Sequence, residues 1–390
     1  MSLDGAPRVE TSSLETRLTR LDAMGVRIVD PRQVTVAEDV DLTRIQPGAV
    51  LFPGTRLAGA RTFIGANARI GPEGPAVLEN AVIAEDAVIA SGFVNGAVLL
   101  PGACAGANAH LRPGTLMEED ASTAHAVGLK QTILMAYVTL GSLINFCDAL
   151  VTGGRSRKDH TEIGSGFIHF NFTPWGRHGD KATASLVGRV VDGVFLDKDK
   201  IFLGGLSGMV GPQTGGFGAL TGAGQVIRDP VGDGEIVATA QRNARRPWTF
   251  GRGDPPARRR RAAAAYMAQL LALKAWYAQV RLPRAVAAQG PAGPLPTVLN
   301  EALTTLDVCL EERIKRSNDF ARERNAPLIA APPTDLPACP LDVASLSPGE
   351  AHTDWVKGLA PETRHPLKTW LASIARSAEA ELMKPATDMS

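Results

Sequence analysis

The sequence predicts a mainly β protein: a parallel β-helix followed by a helical C-terminal region. Two observations support this prediction. Aliphatic residues recur every six positions from residue 45 to residue 94, and after Arg245 this repeat gives way to a Pro/Gly/Arg linker and Ala- and Leu-rich segments. A hexapeptide period is the signature of a β-helix, in which three short strands with tight turns close one triangular coil.

The repeat is defined by the aliphatic residue that begins each hexad. We expect these side chains to point inward and to stack on their counterparts in the next coil, about 4.8 Å away. The matching hexads begin at Ile45, Leu51, Leu57, Ile64, Ile70, Val77, Ile83 and Ile89. The repeat is blurred over residues 105–154 and returns at Ile163, Leu186 and Val210. Residues 173–180 fit no hexad and are predicted to form a loop outside the coil, where functional residues often lie.

The domain organisation follows from where the repeat starts and stops. Residues 1–30 are predicted to cap the coil, with an amphipathic helix over 13–24, and residues 31–244 to form the β-helix domain. Residues 245–390 are predicted to form the linker and the α-helical C-terminal region. Its helices are expected at 258–280, from 296 or 297 to 323, and at 367–383, with a Pro-dense connector over 327–340.

Composition and charge narrow the function class. The net charge of +1 points to neither nucleic acid nor a membrane as a partner. No apolar run approaches about 20 residues and no signal-peptide pattern begins the chain, so a soluble cytoplasmic protein is expected. The four cysteines form no CxxC pair and are interpreted as small buried thiols.

Most of the reactive side chains lie in residues 141–188. The basic run Arg155-Ser-Arg-Lys158 is interpreted either as a solvated turn or as a grip for a phosphate of a nucleotide sugar or coenzyme A. Histidines follow at positions 160, 169 and 178. A three-histidine zinc site made by His110, His125 and His160 is an alternative that their spacing disfavours, so no metal is expected.

From residue 21 to residue 229 the chain resembles the acetyltransferase half of the bacterial bifunctional N-acetylglucosamine-1-phosphate uridyltransferase/glucosamine-1-phosphate acetyltransferase. The resemblance begins at Ala23-Met-Gly-Val-Arg-Ile-Val-Asp-Pro31 and strengthens at Ala109-His-Leu-Arg-Pro-Gly114. It implies a left-handed β-helix, a homotrimer with active sites between subunits, and acetyl-CoA or another acyl-CoA as co-substrate. The substrate-binding positions that it implies are Arg112, Lys130, Asn145, Asn171 and Lys181.

Two features depart from that family. Counted from Lys130, the family's catalytic histidine corresponds to Ser142, and the tyrosine three residues later corresponds to Asn145. Almost nothing precedes the coil, so no uridyltransferase domain is expected.

The chemistry that the resemblance implies is acyl transfer from a thioester to a neutral amine. A general base contributes about 10²–10⁴-fold to such a reaction, and a donor to the oxyanion contributes more. The Ser142 hydroxyl is able to donate to the oxyanion, whereas the missing base is sought in His160, after the basic run, or in His169, on the strand face of Asn171. Each of these histidines also has a purely structural interpretation.

The late coils resemble those with which the family holds acetyl-CoA. Small residues there would let the pantetheine lie along the backbone, although coil stacking requires small residues in any case. The cofactor-binding residues that this implies are Gly205, Gly222, Ala223 and Arg228.

Two function classes remain open. The first is an acyl-CoA-dependent acyltransferase, an N-acetyltransferase, acting on an amino sugar phosphate or on a nucleotide sugar such as UDP-N-acetylglucosamine. The second is a non-catalytic protein, derived from such an enzyme, that binds a sugar phosphate or nucleotide sugar or serves as a scaffold. The retained cations and the lost histidine are compatible with either class.

Overall fold

The chain forms a parallel β-helix followed by a layer of α-helices, in a computed structural model that describes residues 13–170, 184–238 and 256–384. The coil has three faces, which we call A, B and C in the order in which the chain meets them. Face A is an 11-stranded parallel sheet, and the fold prediction is thereby confirmed. Its strands are Arg27–Ile28, Val50–Leu51, Arg69–Ile70, Val88–Ile89, Cys104–Ala105, Ser122–Thr123, Thr139–Leu140, Glu162–Ile163, Phe202–Leu203, Leu220–Thr221 and Ile236–Val237.

Faces B and C belong to one continuous sheet because two long strands bend from one face to the other. The bends lie at Gln131 and Asp148, whose φ angles are 50° and 60°. Face B contains Thr35–Val36, Arg56–Ala58, Ala76–Glu79, Gly92–Asn95, Ala109–Leu111, the first halves of Gly128–Leu134 and Asn145–Val151, Ile168–Phe170, Gly208–Val210 and Val226–Ile227. Face C contains Phe63–Ile64, Val82–Ile83, Val98–Leu99, Leu116–Met117, the second halves of the two long strands, Ser185–Val187 and Thr214–Gly215. A short antiparallel hairpin, Gly154–Ser156 with Asp159–His160, projects where face C returns to face A.

The inside of the coil is a column of stacked aliphatic side chains. Seven of the eight predicted hexad residues are at most 2% exposed, which is the expected inward orientation. The exception is Val77, which is partly exposed, because its neighbour Leu78 takes the inward position at 0% exposure. The prediction for that hexad was therefore wrong by one residue, which in a strand exchanges the two sides.

The described α-helices precede or follow the coil, except for one short helix between two of its later strands. The first, α1, begins at Leu14 and is capped by the Ser13 side chain, as predicted for residues 13–24. Among the residues described, no helix is long and apolar enough to cross a membrane. The helices are α1 (Leu14–Ala23), α2 (Val190–Gly193), α3 (Pro256–Trp276), a π-helical turn (Tyr277–Arg281), α4 (Leu282–Gln289), α5 (Pro294–Arg322), α6 (His352–Gly358) and α7 (Pro361–Leu382).

The C-terminal helices pack on the outside of face C. Strands of this face carry two adjacent aliphatic residues, so that one points into the coil and the other points outward. The outward residues are nevertheless buried, because α3 and α5 lie against them. They are Phe63, Val82, Val98, Leu116, Ile133, Leu150 and Leu186.

Buried polar contacts fix α5 to the corner between faces B and C. The Arg313 guanidinium lies 2.7 Å from an Asp148 carboxylate oxygen, and both side chains are at most 5% exposed. The Cys309 thiol donates to the Gly114 carbonyl at 3.3 Å. The helical region thus covers one face of the prism and leaves faces A and B for other contacts.

Candidate functional site

The corner between faces A and B, which we call the AB corner, stacks one turn from each coil. Backbone hydrogen bonds join these turns: the Leu143 amide donates to the His125 carbonyl, and the Gly166 amide donates to the Ser142 carbonyl. Five successive coils contribute to this stack one turn each, which contain His125, Ser142, Ser165, Leu206 and Ala223, respectively. A residue in one turn therefore lies beside its counterpart one coil away.

Ser142, where the resemblance places a catalytic histidine, contacts an imidazole one coil earlier. Its Oγ lies 2.9 Å from Nδ1 of the exposed His125. If the His125 Nδ1–H donates to Ser142, the Nε2 lone pair remains able to accept a proton. On the other side, the Ser142 amide donates to Ser165 Oγ at 3.0 Å. The AB corner thus holds a histidine and two hydroxyls in three successive coils.

Face B carries polar side chains in two outward columns beside this corner. The column nearer the corner contains His110, Gly128 and Asn145, which are in register. Gly128 leaves room for the Asn145 amide, since a Cβ there would lie 3.2 Å from Asn145 Oδ1. Asn145, which follows Ser142 closely in the chain, therefore also lies close to it on the prism surface.

The farther column of face B contains Arg112, Lys130 and Cys147. Lys130 and Cys147 are in register on neighbouring strands, and an Arg112 Nη2–H donates to Cys147 Sγ at 3.4 Å. Arg112 Nε is buried without a hydrogen-bond partner among the described residues. Neither Arg112 nor Lys130 forms an ion pair within the part of the chain that the structure describes. These two positive charges are available to an anionic ligand.

The basic run at residues 155–158 is used differently. Arg155 forms ion pairs with Asp159 and Asp199, and Arg157 forms one with Asp120 at 2.7 Å. The run lies on the hairpin between faces C and A, at the end of face A away from the AB corner. The solvated-turn interpretation therefore suits the geometry better than a phosphate grip.

The two histidines considered as bases lie away from Ser142. The Nδ1–H of His160 donates to the Arg157 carbonyl at 2.8 Å, which places His160 on the same hairpin. His169 is 2% exposed and points into the coil, where it donates to the Cys147 carbonyl and accepts from the Ser185 hydroxyl. Burial lowers the pKa of His169 to about 4, so its imidazole is neutral. Both of its nitrogens are engaged within the fold.

Three of the expected cofactor-binding residues lie on the AB corner, two and three coils beyond Ser142. The Leu206 amide donates to the Ser165 carbonyl, and the Gly224 amide donates to the Gly205 carbonyl, which continues the stack. Gly222 and Ala223 occupy the next turn along the corner. Arg228 is exposed and follows the face B strand Val226–Ile227, so it lies at the other end of that face.

Exposed apolar side chains flank the later turns of the AB corner. Leu143 is 60% exposed and Leu206 is 81% exposed, both on the corner itself. On face A, Phe202 and Leu220 are in register and also exposed. The corner therefore offers small residues and an apolar border to a ligand or to another protein surface.

Two expected substrate-binding residues, Asn171 and Lys181, lie outside the described residues, as does His178. Among the described residues, no group of three His, Cys, Asp or Glu side chains is arranged to hold a metal ion. In particular, His125 contacts Ser142 and His160 lies on the hairpin, so the alternative zinc set does not come together.

Sequence reasoning missed the pairing of His125 with Ser142 and the contact of Ser165. The available signal was spacing, because His125 precedes Ser142 by 17 residues, close to the three hexads of one coil. Because the hexapeptide repeat is irregular in this region, the sequence did not show that His125 and Ser142 lie side by side in adjacent coils.

The comparisons with known proteins relate the coil to one kind of curated protein. The bifunctional protein GlmU of Oleidesulfovibrio alaskensis is 31% identical over 241 residues, which cover 61% of this chain and 47% of the relative. GlmU of Mycobacterium avium is 35% identical over 243 residues, which cover 60% of this chain and 44% of the relative. The chain spans about half the length of these relatives. No protein-family model matches it.

The sequence similarity and the coil architecture indicate the same kind of domain. The matched lengths of 241 and 243 residues are long enough to include the coil, which has about eleven turns. Together they fit a GlmU-like left-handed β-helix acetyltransferase domain.

Proposed function

We propose that the protein is an acyl-CoA-dependent acyltransferase, an N-acetyltransferase, that acts on an amino sugar phosphate or nucleotide sugar at the AB corner. The observation that carries the proposal is the 2.9 Å contact between His125 Nδ1 and Ser142 Oγ, beside two cations that have no ion-pair partner among the described residues. The similarity to GlmU proteins supports the reaction class.

The phosphate of the acceptor would bind to Arg112 and Lys130 on the farther column of face B. Arginine and lysine form strong charge-assisted hydrogen bonds to phosphate, and Arg112 has no carboxylate that competes for it among the described residues. Asn145, one column nearer the corner, would hydrogen-bond the sugar. We retain Asn171 and Lys181 as proposed substrate contacts on the resemblance alone.

The acyl-transfer step would use His125 as the base. Its Nε2 would accept the proton that the attacking amine loses as the amine nitrogen bonds to the thioester carbonyl carbon. Ser142, which accepts a hydrogen bond from His125 Nδ1–H, would donate a hydrogen bond from its own hydroxyl to the oxyanion of the tetrahedral intermediate. Collapse of the intermediate would expel the coenzyme A thiolate and leave the N-acylated acceptor.

The acyl-CoA would lie along the later turns of the AB corner. Gly205, Gly222 and Ala223 would let the pantetheine approach the backbone, and the exposed Leu206 would cover it. We propose no direct contact for Arg228 beyond attraction to the phosphates of coenzyme A. A homotrimer, as the resemblance implies, would bring a second copy against the exposed apolar side chains of this corner.

The decisive experiment measures acetyl transfer to glucosamine-1-phosphate and to UDP-linked amino sugars by release of coenzyme A thiol. We expect His125→Ala to lower kcat by about 10²–10⁴-fold. His160→Ala is the matched control, because His160 is also a surface imidazole one or two coils away, and its kcat is expected to stay within about twofold of wild type. Undiminished turnover in His125→Ala would disprove the assignment of the base.

A double variant tests the position of the imidazole separately from its presence. His125→Ala/Ser142→His moves the imidazole to the position of the family's histidine, one coil along the corner. We expect it to recover part of the activity lost in His125→Ala. Recovery would show that the corner requires an imidazole near Ser142, whereas continued inactivity together with normal acetyl-CoA binding would argue against general-base catalysis at this corner.

The second candidate function is sugar-phosphate or nucleotide-sugar binding without catalysis. The observation that favours it is that Arg112 and Lys130 form no ion pair within the described part of the chain, which would support binding without any base. Calorimetric titration distinguishes the two candidates. Saturable binding of a sugar phosphate without any binding of acetyl-CoA favours the second candidate, and Arg112→Gln should weaken that binding by about 1.5–3 kcal/mol.

A further inference from the structure

We propose that a cavity within the C-terminal helical region binds a small organic oxyanion, a carboxylate or a phosphate monoester, between Arg284 and His352. The cavity has a volume of about 230 Å³ and lies between α4, the start of α5 and the segment that leads into α6. All of its lining residues belong to the helical region. It is therefore separate from the AB corner and independent of the acyltransferase proposal.

The first argument is the charge of the cavity wall. Arg281 and Arg284 both line it and are at most 4% exposed. Arg281 is neutralised, since its guanidinium donates to Glu118 and Glu119 on the coil. Arg284 instead donates to the carbonyls of Leu346, Ser347 and Glu350, which carry no net charge.

Among the described residues, Arg284 thus has no hydrogen-bonded counterion for its positive charge. The carboxylate next to it is that of Glu350, which is exposed and contacts Arg284 through its backbone carbonyl. Burial, together with the nearby Arg281, lowers the pKa of Arg284 to about 10, yet the side chain remains charged at neutral pH. A buried cation of this kind favours an anion beside it.

The second argument is the presence of unsatisfied polar atoms at the same cavity. His352 Nδ1 and Arg281 Nε are both buried and have no hydrogen-bond partner among the described residues. Buried polar atoms are rarely left without partners unless a ligand or water supplies one. Burial, reinforced by Arg281 and Arg284, lowers the pKa of His352 well below its ordinary value, so the ring is neutral and keeps one N–H donor.

The third argument is the local backbone that presents Arg281. The helix widens into a π-helical turn at Tyr277–Arg281, between α3 and α4. This turn directs both Tyr277 and Arg281 at Glu118, to which the Tyr277 hydroxyl donates at 2.7 Å. Such π-helical turns occur mostly within longer helices and frequently at functional sites.

The size and lining of the cavity select the class of ligand. A water molecule occupies about 30 Å³, so the cavity holds a ligand of several non-hydrogen atoms. Leu295 and Leu299 form an apolar part of the wall, opposite the polar groups. A compact molecule with one oxyanion group and a short carbon body matches this lining better than a bare ion does.

The experiment is calorimetric titration of the full chain with succinate and, separately, with glycerol phosphate, at constant ionic strength set by sodium chloride. We expect saturable binding of at least one probe, and the probe that binds more tightly identifies the carboxylate or the phosphate class. Arg284→Gln should weaken this binding by about tenfold or more, as for a lost charged hydrogen bond. Glu350→Gln should tighten it a few-fold, because a competing carboxylate is removed.

Two further variants make the test specific. Ala288→Trp narrows the exposed mouth of the cavity and leaves Arg284 in place, so it should abolish binding even if Arg284→Gln folds poorly. Arg32→Gln removes an exposed arginine of the coil that lines no part of the cavity, and it should leave the affinity unchanged. The proposal is overturned if neither probe binds above chloride, if binding survives Ala288→Trp and Arg284→Gln, or if it is lost in Arg32→Gln.

Discussion

The packing of the helical region on face C predicts a large stability cost for a side chain that a bare β-helix would expose. Leu116 points outward from face C, yet it is 0% exposed, because the C-terminal helices cover it. Its neighbour Met117 points into the coil and is equally buried. The Leu116→Ala variant therefore tests the contact between the two regions without disturbing the inside of the coil.

The expected magnitude follows from the burial. Truncating a fully buried leucine to alanine costs about 2–5 kcal/mol, which combines the lost transfer free energy with the cavity that remains. Leu220→Ala is the matched control, because Leu220 takes the same outward position in a face A strand but is 39% exposed. We expect the control to cost about 1 kcal/mol or less.

The assay is urea-induced unfolding followed by far-UV circular dichroism, with all variants at the same protein concentration. The loss should appear as a lower midpoint, and tryptophan fluorescence should report the helical region, which contains Trp276, Trp355 and Trp370. Equal and small costs for the two variants would refute the packing of the helices on face C. Equal and large costs would instead place Leu220 in a contact with another subunit.

Three further predictions concern the coil and its junction with the helices. Gly164→Ala should destabilise the coil severely, because its Cβ would lie 2.3 Å from a backbone nitrogen of the next coil, whereas Gly222→Ala meets nothing closer than 3.6 Å and should fold normally. If Gly222→Ala nevertheless loses acetyl-CoA binding, the proposed cofactor position gains support; unaltered binding would count against it. The pKa of His169 falls from 6.5 to about 4 on folding, so the unfolded chain binds the proton more readily. The free energy of unfolding should therefore fall by about 3 kcal/mol between pH 6.5 and pH 4, and it should not change above pH 6.5 for this reason. His169→Asn should flatten this dependence, and an identical pH profile would contradict it. Tyr277→Phe removes a donor to the buried Glu118 and should cost about 1–3 kcal/mol in urea unfolding, whereas a neutral effect would mean that water replaces the hydroxyl.

The coil was predictable because its rule is local. Each hexad places one aliphatic side chain, such as Ile64 or Ile83, in the inward position. The same six-residue spacing recurs many times, so the pattern is recognisable without long-range information. The error at Val77 arose where an extra residue enters the turn, since the period alone does not say which of two adjacent aliphatic residues faces inward.

The cover on face C was also encoded in the sequence, though less directly. Strands of faces A and B alternate inward apolar residues with mixed outward ones, as in Arg69–Ile70 and Glu162–Ile163. Strands of face C carry paired aliphatics, as in Val82–Ile83 and Val98–Leu99. A face that is apolar on both sides requires a second layer, and the long helices among the described residues follow the coil.

The contacts of the site were harder to predict because they depend on register between coils. His125 and Ser142 are separated in sequence by one coil whose length differs from eighteen residues. His169 shares a strand with Asn171, and alternation along that strand alone does not decide which residues face the core. Its inward orientation depends on the stacking of its ring on Phe146, which only the assembled coil reveals.

The geometry of a β-helix explains how a base at one position of the chain can be replaced from another. Adjacent coils lie about 4.8 Å apart, so a residue one coil earlier occupies nearly the same point of the surface as the residue it replaces. Ser142 lies where the resemblance places the histidine of the acetyltransferases, and one hydrogen bond connects it to His125. In the mechanism that we propose, the His125 imidazole would therefore reach a substrate amine at the AB corner from a different position in the sequence. Of the two cations proposed to bind the substrate phosphate, Lys130 lies on the same coil as His125, and Arg112 lies one coil earlier.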